Sequence, residues 1–472
     1  MAKYFEKVSP ESCGINSEDL LKFVEGMEDA PELKETHGFM ILRHGKLITE
    51  GWFKPYTEEM PHSLFSSTKT FVQIAIGFMV QEGLVKLEDK ISEYFKDKLP
   101  ENISEENRNM TVRHLLMMAT GHRGQEIHSG GDFANMNDDK VKEFFETENY
   151  IKPGIEFQYD NIATYILSNL VTRRTGKNVV DYLKPRFLQP LGLTVDYYSA
   201  DKNGICYGYA GFRIKLEDLA KVGQFFLNGG VWEGKQLLPK EWCEQATAKH
   251  TDCNGPCGED WKQGYCWQMW RGRYNTARLC GAYGQMCVIA PDYDMIFATN
   301  SGANFNKLHY ILENFYNNVM LKAKDEPIEE NPIGNIKLEN KIAGLKLENK
   351  FAPLSPRVNT LTGKEIKFDK TGRYDTLKLD FDSEVCKVTL SGDSKISFDA
   401  GLTCPKETYI EDGGFMTIDP YDHGVYHATA YFNKDDVFIV TVRILQTQTM
   451  VKIEVDGDQN VKLYTLRGEL VE

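Results

Sequence analysis

No stretch of this sequence stays apolar for long enough to cross a bilayer. The longest apolar run, Phe71 to Val80, falls far short of the roughly 20 residues a spanning helix needs. The opening residues, Met-Ala-Lys-Tyr-Phe-Glu-Lys, pass straight into Ser/Glu-rich sequence with no apolar leader core. Both absences point to a soluble, cytoplasmic protein with no membrane partner. Clusters of basic residues are missing as well. Lys and Arg number 55 against 69 Asp and Glu, a net charge of −14. That balance excludes nucleic acid or an anionic membrane surface as the main partner, since either calls for a basic patch. Nor do the ten cysteines fall into the spacing of a disulfide scaffold. They read as the free, mostly buried thiols of an intracellular chain. Cys253 and Cys257 sit in a Gly/Pro/Asn-rich loop, where a disulfide or a metal is the other reading. No second pair stands at zinc-ligand spacing, so neither a metal nor a cofactor is assigned.

What is present is ample core material: 41% of residues are apolar and 12% aromatic. A chain of 472 residues exceeds one compact core and suggests about two or three domains. A helical pattern near Ser17 to Gly26 precedes a hairpin over Gly38–Trp52, turning at His44-Gly45. Helical segments follow at Ser66, at Thr111–Met118, around Ile162 to Arg174, and over Leu216–Leu227. Two apolar runs, Tyr283–Ala290 and Asp294–Asn300, then read as an antiparallel pair with the first at an edge. A helix from about Asn306 to Lys322 follows them. Strands at both ends of this region with helices between predict one α+β domain whose sheet unites the two ends. Charged residues and two prolines mark residues 324–335 as a linker. Beyond it Lys337–Ala343 is echoed by Lys346–Ala352, a local duplication. Residues 336–472 alternate apolar and polar positions, as at Leu377/Leu379/Phe381 and Val451/Ile453/Val455. They predict an antiparallel barrel or sandwich. The expected division is therefore 1–323, 324–335 and 336–472.

Three motifs carry chemistry. Ser66-Ser-Thr-Lys69 precedes Phe71, Ile74, Ala75, Phe78 and Met79 at helical spacing, which puts the hydroxyl and the amine on one face. A serine is a weak nucleophile until a base takes its proton, and a lysine deprived of water can be that base. A Ser/Thr-rich helix entry with a solvated lysine is the alternative for this motif alone. Tyr159 and Asn161, on a turn before the next helix, supply a phenol for proton relay and an amide for positioning. Gly281, Ala282 and Tyr283 open a strand whose backbone a substrate can approach closely, with an N–H for an oxyanion.

In this order the motifs resemble the serine β-lactamase and penicillin-binding-protein superfamily. The tyrosine in the second motif is similar to the class C β-lactamase, D-aminopeptidase and esterase branch. His62–Phe71, Thr111–Met118, Glu217–Gln224 and Gly281–Gln285 look like the β-lactamase-related serine hydrolases, some of them carboxylesterases or 6-aminohexanoate-dimer hydrolases. The resemblance spans residues 5 to 322. It implies a β-lactamase-like antiparallel sheet with a helical block, and Ser66 as an acylated nucleophile with Lys69 as its base. It further implies Tyr159 as the proton relay, Asn161 as the positioning amide, and the N–H groups of Ser66 and Ala282 as an oxyanion hole.

One departure bears on the substrate. The family's Lys-Thr-Gly, which binds a drug carboxylate, is absent; Asn275–Gly281 stands there, with Arg278 as a possible stand-in. The implied substrate is a small neutral ester or amide. A non-turnover penicillin-binding or sensor protein, or a D-aminopeptidase or β-lactamase, is the alternative. Trp267 and Trp270 line a substrate wall or pack a core, and His122 and His128 touch substrate or belong to an ordinary loop. The oligomeric state is open.

Overall fold

The computed structural model describes residues 4–30, 33, 35–122, 139–255, 257–411 and 423–465. The chain forms two compact units. The first comprises Met1–Trp52 and Ser63–Leu345, the second Phe53–His62 and Lys346–Glu472.

The first unit is built on a six-stranded sheet. Its strands are β1 (Thr36–Arg43), β2 (Lys46–Trp52), β3 (Trp270–Arg271), β4 (Ala277–Gly281), β5 (Gln285–Ala290) and β6 (Met295–Ser301), in the spatial order β2-β1-β6-β5-β4-β3. β1 and β2 meet through His44 and Gly45, both at positive φ (52° and 68°), the conformation a tight hairpin turn demands. Antiparallel pairing of β1 with β6 sets Ile41 opposite Phe297 and joins sequence ends some 250 residues apart. The expected union of the two ends in one sheet is what forms. The expected edge is displaced: β5 lies inside the sheet because Ala277–Gly281 adds a further strand, and the edge falls to the two-residue β3.

Every residue of β1 and β6 is buried, as in a sheet covered on both faces. Alternation divides the two cores. Phe39 and Phe297 meet Phe23 of α1 (Ser17–Asp29), edge to face at 5.3 and 5.6 Å. Met40, Leu42, Ile296 and Ala298 point the other way, into the large core of the helical block. That core holds α2 (Lys69–Gln81), α3 (Asn161–Thr175) and α4 (Leu216–Leu227). α2 is buried from Lys69 to Met79. It is therefore a central helix, packed against α3 and against the short helix Val179–Leu183. α5 (Leu308–Asn318) and α6 (Pro332–Ala343) pack against α1, so α6 starts within the charged, proline-bearing stretch.

Among the described residues, the second unit carries nine strands: β7 (Glu365–Thr371), β8 (Tyr374–Phe381), β9 (Val385–Gly392), β10 (Lys395–Gly401), β11 (Lys406–Ile410), β12 (Gly424–Phe432), β13 (Phe438–Ile444), β14 (Met450–Val455) and β15 (Val461–Thr465). The path runs β7-β8-β9-β10-β12-β13-β14-β15, with β11 on β12. β7 also approaches β15, which makes the sheet barrel-like. Inward residues such as Leu377, Leu379, Val388, Leu390, Val440 and Ile453 form its core and alternate with outward polar ones. Phe53–His62 belongs to this unit, where Leu347 N–H donates to the Lys54 carbonyl at 2.8 Å.

Candidate active site

Ser66 lies on a 3-10 turn, Phe65–Thr68, that runs directly into α2. Residues i and i+3 eclipse in a 3-10 turn, so Lys69 Nζ reaches Ser66 Oγ at 3.1 Å. Phe65, just before the serine, has φ +46°, a left-handed conformation that a bulky residue rarely adopts and that concentrates at functional turns. Ser66 is half-buried and Lys69 is 1% exposed.

Three groups surround the Lys69 amine: Ser66 Oγ, Asn161 Oδ1 at 2.8 Å and the Tyr209 carbonyl oxygen at 2.8 Å. Burial drives the lysine well below its ordinary pKa, and the charge of Asp160 opposes that shift. A neutral amine has two N–H donors and one lone pair. Donating to Asn161 and Tyr209 leaves the lone pair for the Ser66 O–H. The arrangement thus matches an amine poised to accept the serine proton.

Tyr159 completes the group. Its ring centre lies 4.9 Å from Lys69 Nζ, and Ser66 stands beside the phenol. Burial raises the phenol pKa, and the nearby Ser66 opposes the rise. The phenol is therefore held protonated. Asn161 is the first residue of α3, and Asp160 caps that helix through Ile162 N–H (2.8 Å) and Ala163 N–H (3.2 Å). The cap thereby fixes the direction of both motif residues.

Gly281, Ala282 and Tyr283 form the β4–β5 turn, at the end of β4 and ahead of β5. This turn is tied to the serine. Ser67 Oγ donates to the Gln285 carbonyl at 2.8 Å, and the Phe65 and Tyr283 rings meet at 5.3 Å. A Cβ on Gly281 would lie 2.1 Å from the Leu64 carbonyl oxygen, so only glycine permits this approach.

The remaining candidates separate. Trp270 stacks on Tyr159 (5.8 Å, 21°) and stays half-buried beside the site. Trp267 is fully buried against Trp242 and His250. His122 is fully buried too, bonded to Asn107 Oδ1 at 2.8 Å and edge-on to Phe144. Both pack a core, so the substrate contacts expected of them are corrected; alternating aromatics and a loop histidine do not reveal burial. His128 lies outside the described residues. Arg278 is also buried, its guanidinium donating to the carbonyls of Arg271 (3.2 Å) and Asp260 (3.1 Å) and lying over the Trp261 ring. It is thus not a carboxylate receptor. Cys253 and Cys257 are separate thiols, and the described residues contain no group of metal ligands. Sequence reading missed Asp160, legible as a helix cap, and Tyr209, whose contribution is a main-chain carbonyl with no side-chain signature.

Residues 32–309 match the family described as Beta-lactamase. The chain belongs to that family. The 6-aminohexanoate-dimer hydrolase of Paenarthrobacter ureafaciens is 24% identical over 259 residues, 52% of this chain and 65% of that one. The chain thus spans less than two thirds of this relative's length. Among solved structures, EstCE1, a hydrolase with promiscuous acyltransferase activity, superposes with TM-score 0.52 at 17% identity, covering 64% of this chain and 99% of that one. SurE superposes with TM-score 0.50 at 15% identity and covers 97% of this chain and 99% of its own. Both likenesses concern the fold.

Proposed function

We propose that this protein is a serine hydrolase that forms an acyl-enzyme on Ser66 from a small, neutral ester or amide. The observation that carries the reading is the buried Lys69 amine held by Asn161, Tyr209 and Ser66. In the first step Lys69 takes the Ser66 proton while Oγ attacks the substrate carbonyl. The oxyanion is met by the main-chain N–H groups of Ser66 and Ala282. The intermediate collapses as the leaving group receives a proton through Tyr159. Water then attacks the acyl-serine, giving up its proton along the same relay, and the acid departs. Asn161 keeps the lysine in place. Occupation of Arg278 by main-chain carbonyls favours neutral substrates over carboxylate-bearing drugs, and Trp270 supplies an apolar wall.

A chromogenic short-chain ester and a fluorophosphonate probe test this. Steady turnover and labelling at Ser66, both lost in Ser66→Ala, are expected. A single stoichiometric burst without turnover would make the protein an acylated sensor instead. Absence of both labelling and hydrolysis of esters, amides or β-lactams would sink the reading.

A further inference from the structure

Asp160, the middle residue of Tyr159-Asp160-Asn161, is fully buried. A carboxylate taken out of water is expensive unless its charge is answered. Part of the answer is the start of α3: Oδ1 accepts from Ile162 N–H at 2.8 Å and Ala163 N–H at 3.2 Å, at the positive end of a 15-residue helix. The neighbouring residues reach the other way. Asn161 Oδ1 accepts from Lys69 Nζ at 2.8 Å, and Tyr159 has its ring centre 4.9 Å from the same nitrogen. The buried Asp160 carboxylate thus caps the helix one residue away from the side chain that holds the buried amine.

The groups facing Lys69 come from several elements. Ser66 belongs to the 3-10 turn, Tyr159, Asp160 and Asn161 to the entry of α3, and Tyr209 to a loop whose carbonyl and ring both meet the amine. Cys280 on β4 is the titratable group whose charge bears on Tyr159. Among the described residues, Asp160 is the carboxylate whose charge bears on Lys69.

We infer that Asp160 is a positioning residue with two tasks: it holds the Tyr159–Asn161 turn on the end of α3, and its buried charge sets how tightly Lys69 keeps its proton. The inference rests on the reading of Lys69 as the base for Ser66. Burial alone favours a neutral amine, and a weak base accepts the serine proton poorly. A negative charge beside it strengthens the base and so raises the driving force of the transfer. The device trades a higher acid limit for a faster plateau.

Asp160→Asn separates the tasks, because an asparagine oxygen caps a helix as well as aspartate but carries no charge. The readout is the rate of Ser66 labelling by a fluorophosphonate as a function of pH, alongside thermal melting. With the cap retained, the melting temperature is expected to hold. The acid limb is expected to move to lower pH by about one unit, with a lower plateau. An unmoved acid limb, or one moved to higher pH, would overturn the inference. Asp160→Ser, a second uncharged cap, guards against an idiosyncrasy of asparagine. Failure of both variants to fold would also overturn the inference, since the charge would then serve the fold and not the proton. Lys69→Ala distinguishes the layers. Labelling lost there but unchanged in Asp160→Asn defeats this inference alone, whereas wild-type labelling in Lys69→Ala defeats the reading of Lys69 as base and this inference with it.

Discussion

Lys69 is where burial and charge conflict. Its amine is enclosed and triply bonded, and its pKa is depressed by loss of water. A depressed lysine loses its proton earlier as pH rises. Hydrolysis is therefore expected to climb with pH and level off well below about 10.4, the ordinary lysine value. A pH profile of kcat/KM on a chromogenic ester measures this; a limb at the ordinary value would contradict a buried base. Lys69→Arg retains a cation that cannot deprotonate, and its activity is expected to fall by about 10²-fold or more at every pH. Tyr159→Phe keeps the stack on Trp270 and removes only the hydroxyl. We expect kcat to fall by about 10²- to 10⁴-fold with KM little changed, and an unaltered kcat would exclude the relay. At this scale Ser66, Lys69, Tyr159 and Asn161 were all legible, because their side-chain chemistry is written in the residue type. Tyr209 was not, since a carbonyl is common to every residue.

Among the elements, the 3-10 turn and the β4–β5 turn form the two walls nearest the serine. Spacing of apolar residues announces α2 but not its 3-10 entry, because both helix types place residues three apart on one side. It also hides that α2 is enclosed on all sides. The contact of Gly281 with the Leu64 carbonyl sets a strict limit. Gly281→Ala must push the β4 end away from the turn bearing Ser66. A shift of this kind is expected to reduce kcat/KM by roughly 10²-fold, more than it reduces thermal stability. Circular dichroism melting beside ester kinetics separates the two effects; wild-type kinetics would show that the two walls need not touch. Trp267 and Trp270 make the same point about legibility. Three residues apart in an aromatic stretch, they are indistinguishable by composition, yet one is core and the other is half-buried beside Tyr159.

For the whole molecule, the family match covers residues 32–309, while the strands of the barrel-like unit all follow it. That unit draws in Phe53–His62 from the early chain, with Lys54 bridged to Lys346 and bonded by Leu347 N–H. Truncation after Leu345 deprives this early segment of those partners and is expected to lower the melting temperature in calorimetry. An unchanged transition would show that the segment holds its place without them. Alternating strands after residue 365 were readable from period-two patterning. The recruitment of Phe53–His62 was not, because pairing between distant segments leaves no local pattern.

The sequence by itself determined the reactive groups and their local spacing: a serine three residues from a lysine, a tyrosine two from an asparagine, and strands enough for two sheets. Tertiary structure alone decided what those groups can do. It brought Asn161 and the Tyr209 carbonyl across 92 and 140 residues to the same amine, locked Arg278 among main-chain carbonyls, and sent Trp267 and His122 into a core. The reason is physical. Spacing fixes only which neighbours along the chain share a face, whereas burial, desolvation and the charges that answer them exist only once distant segments pack together.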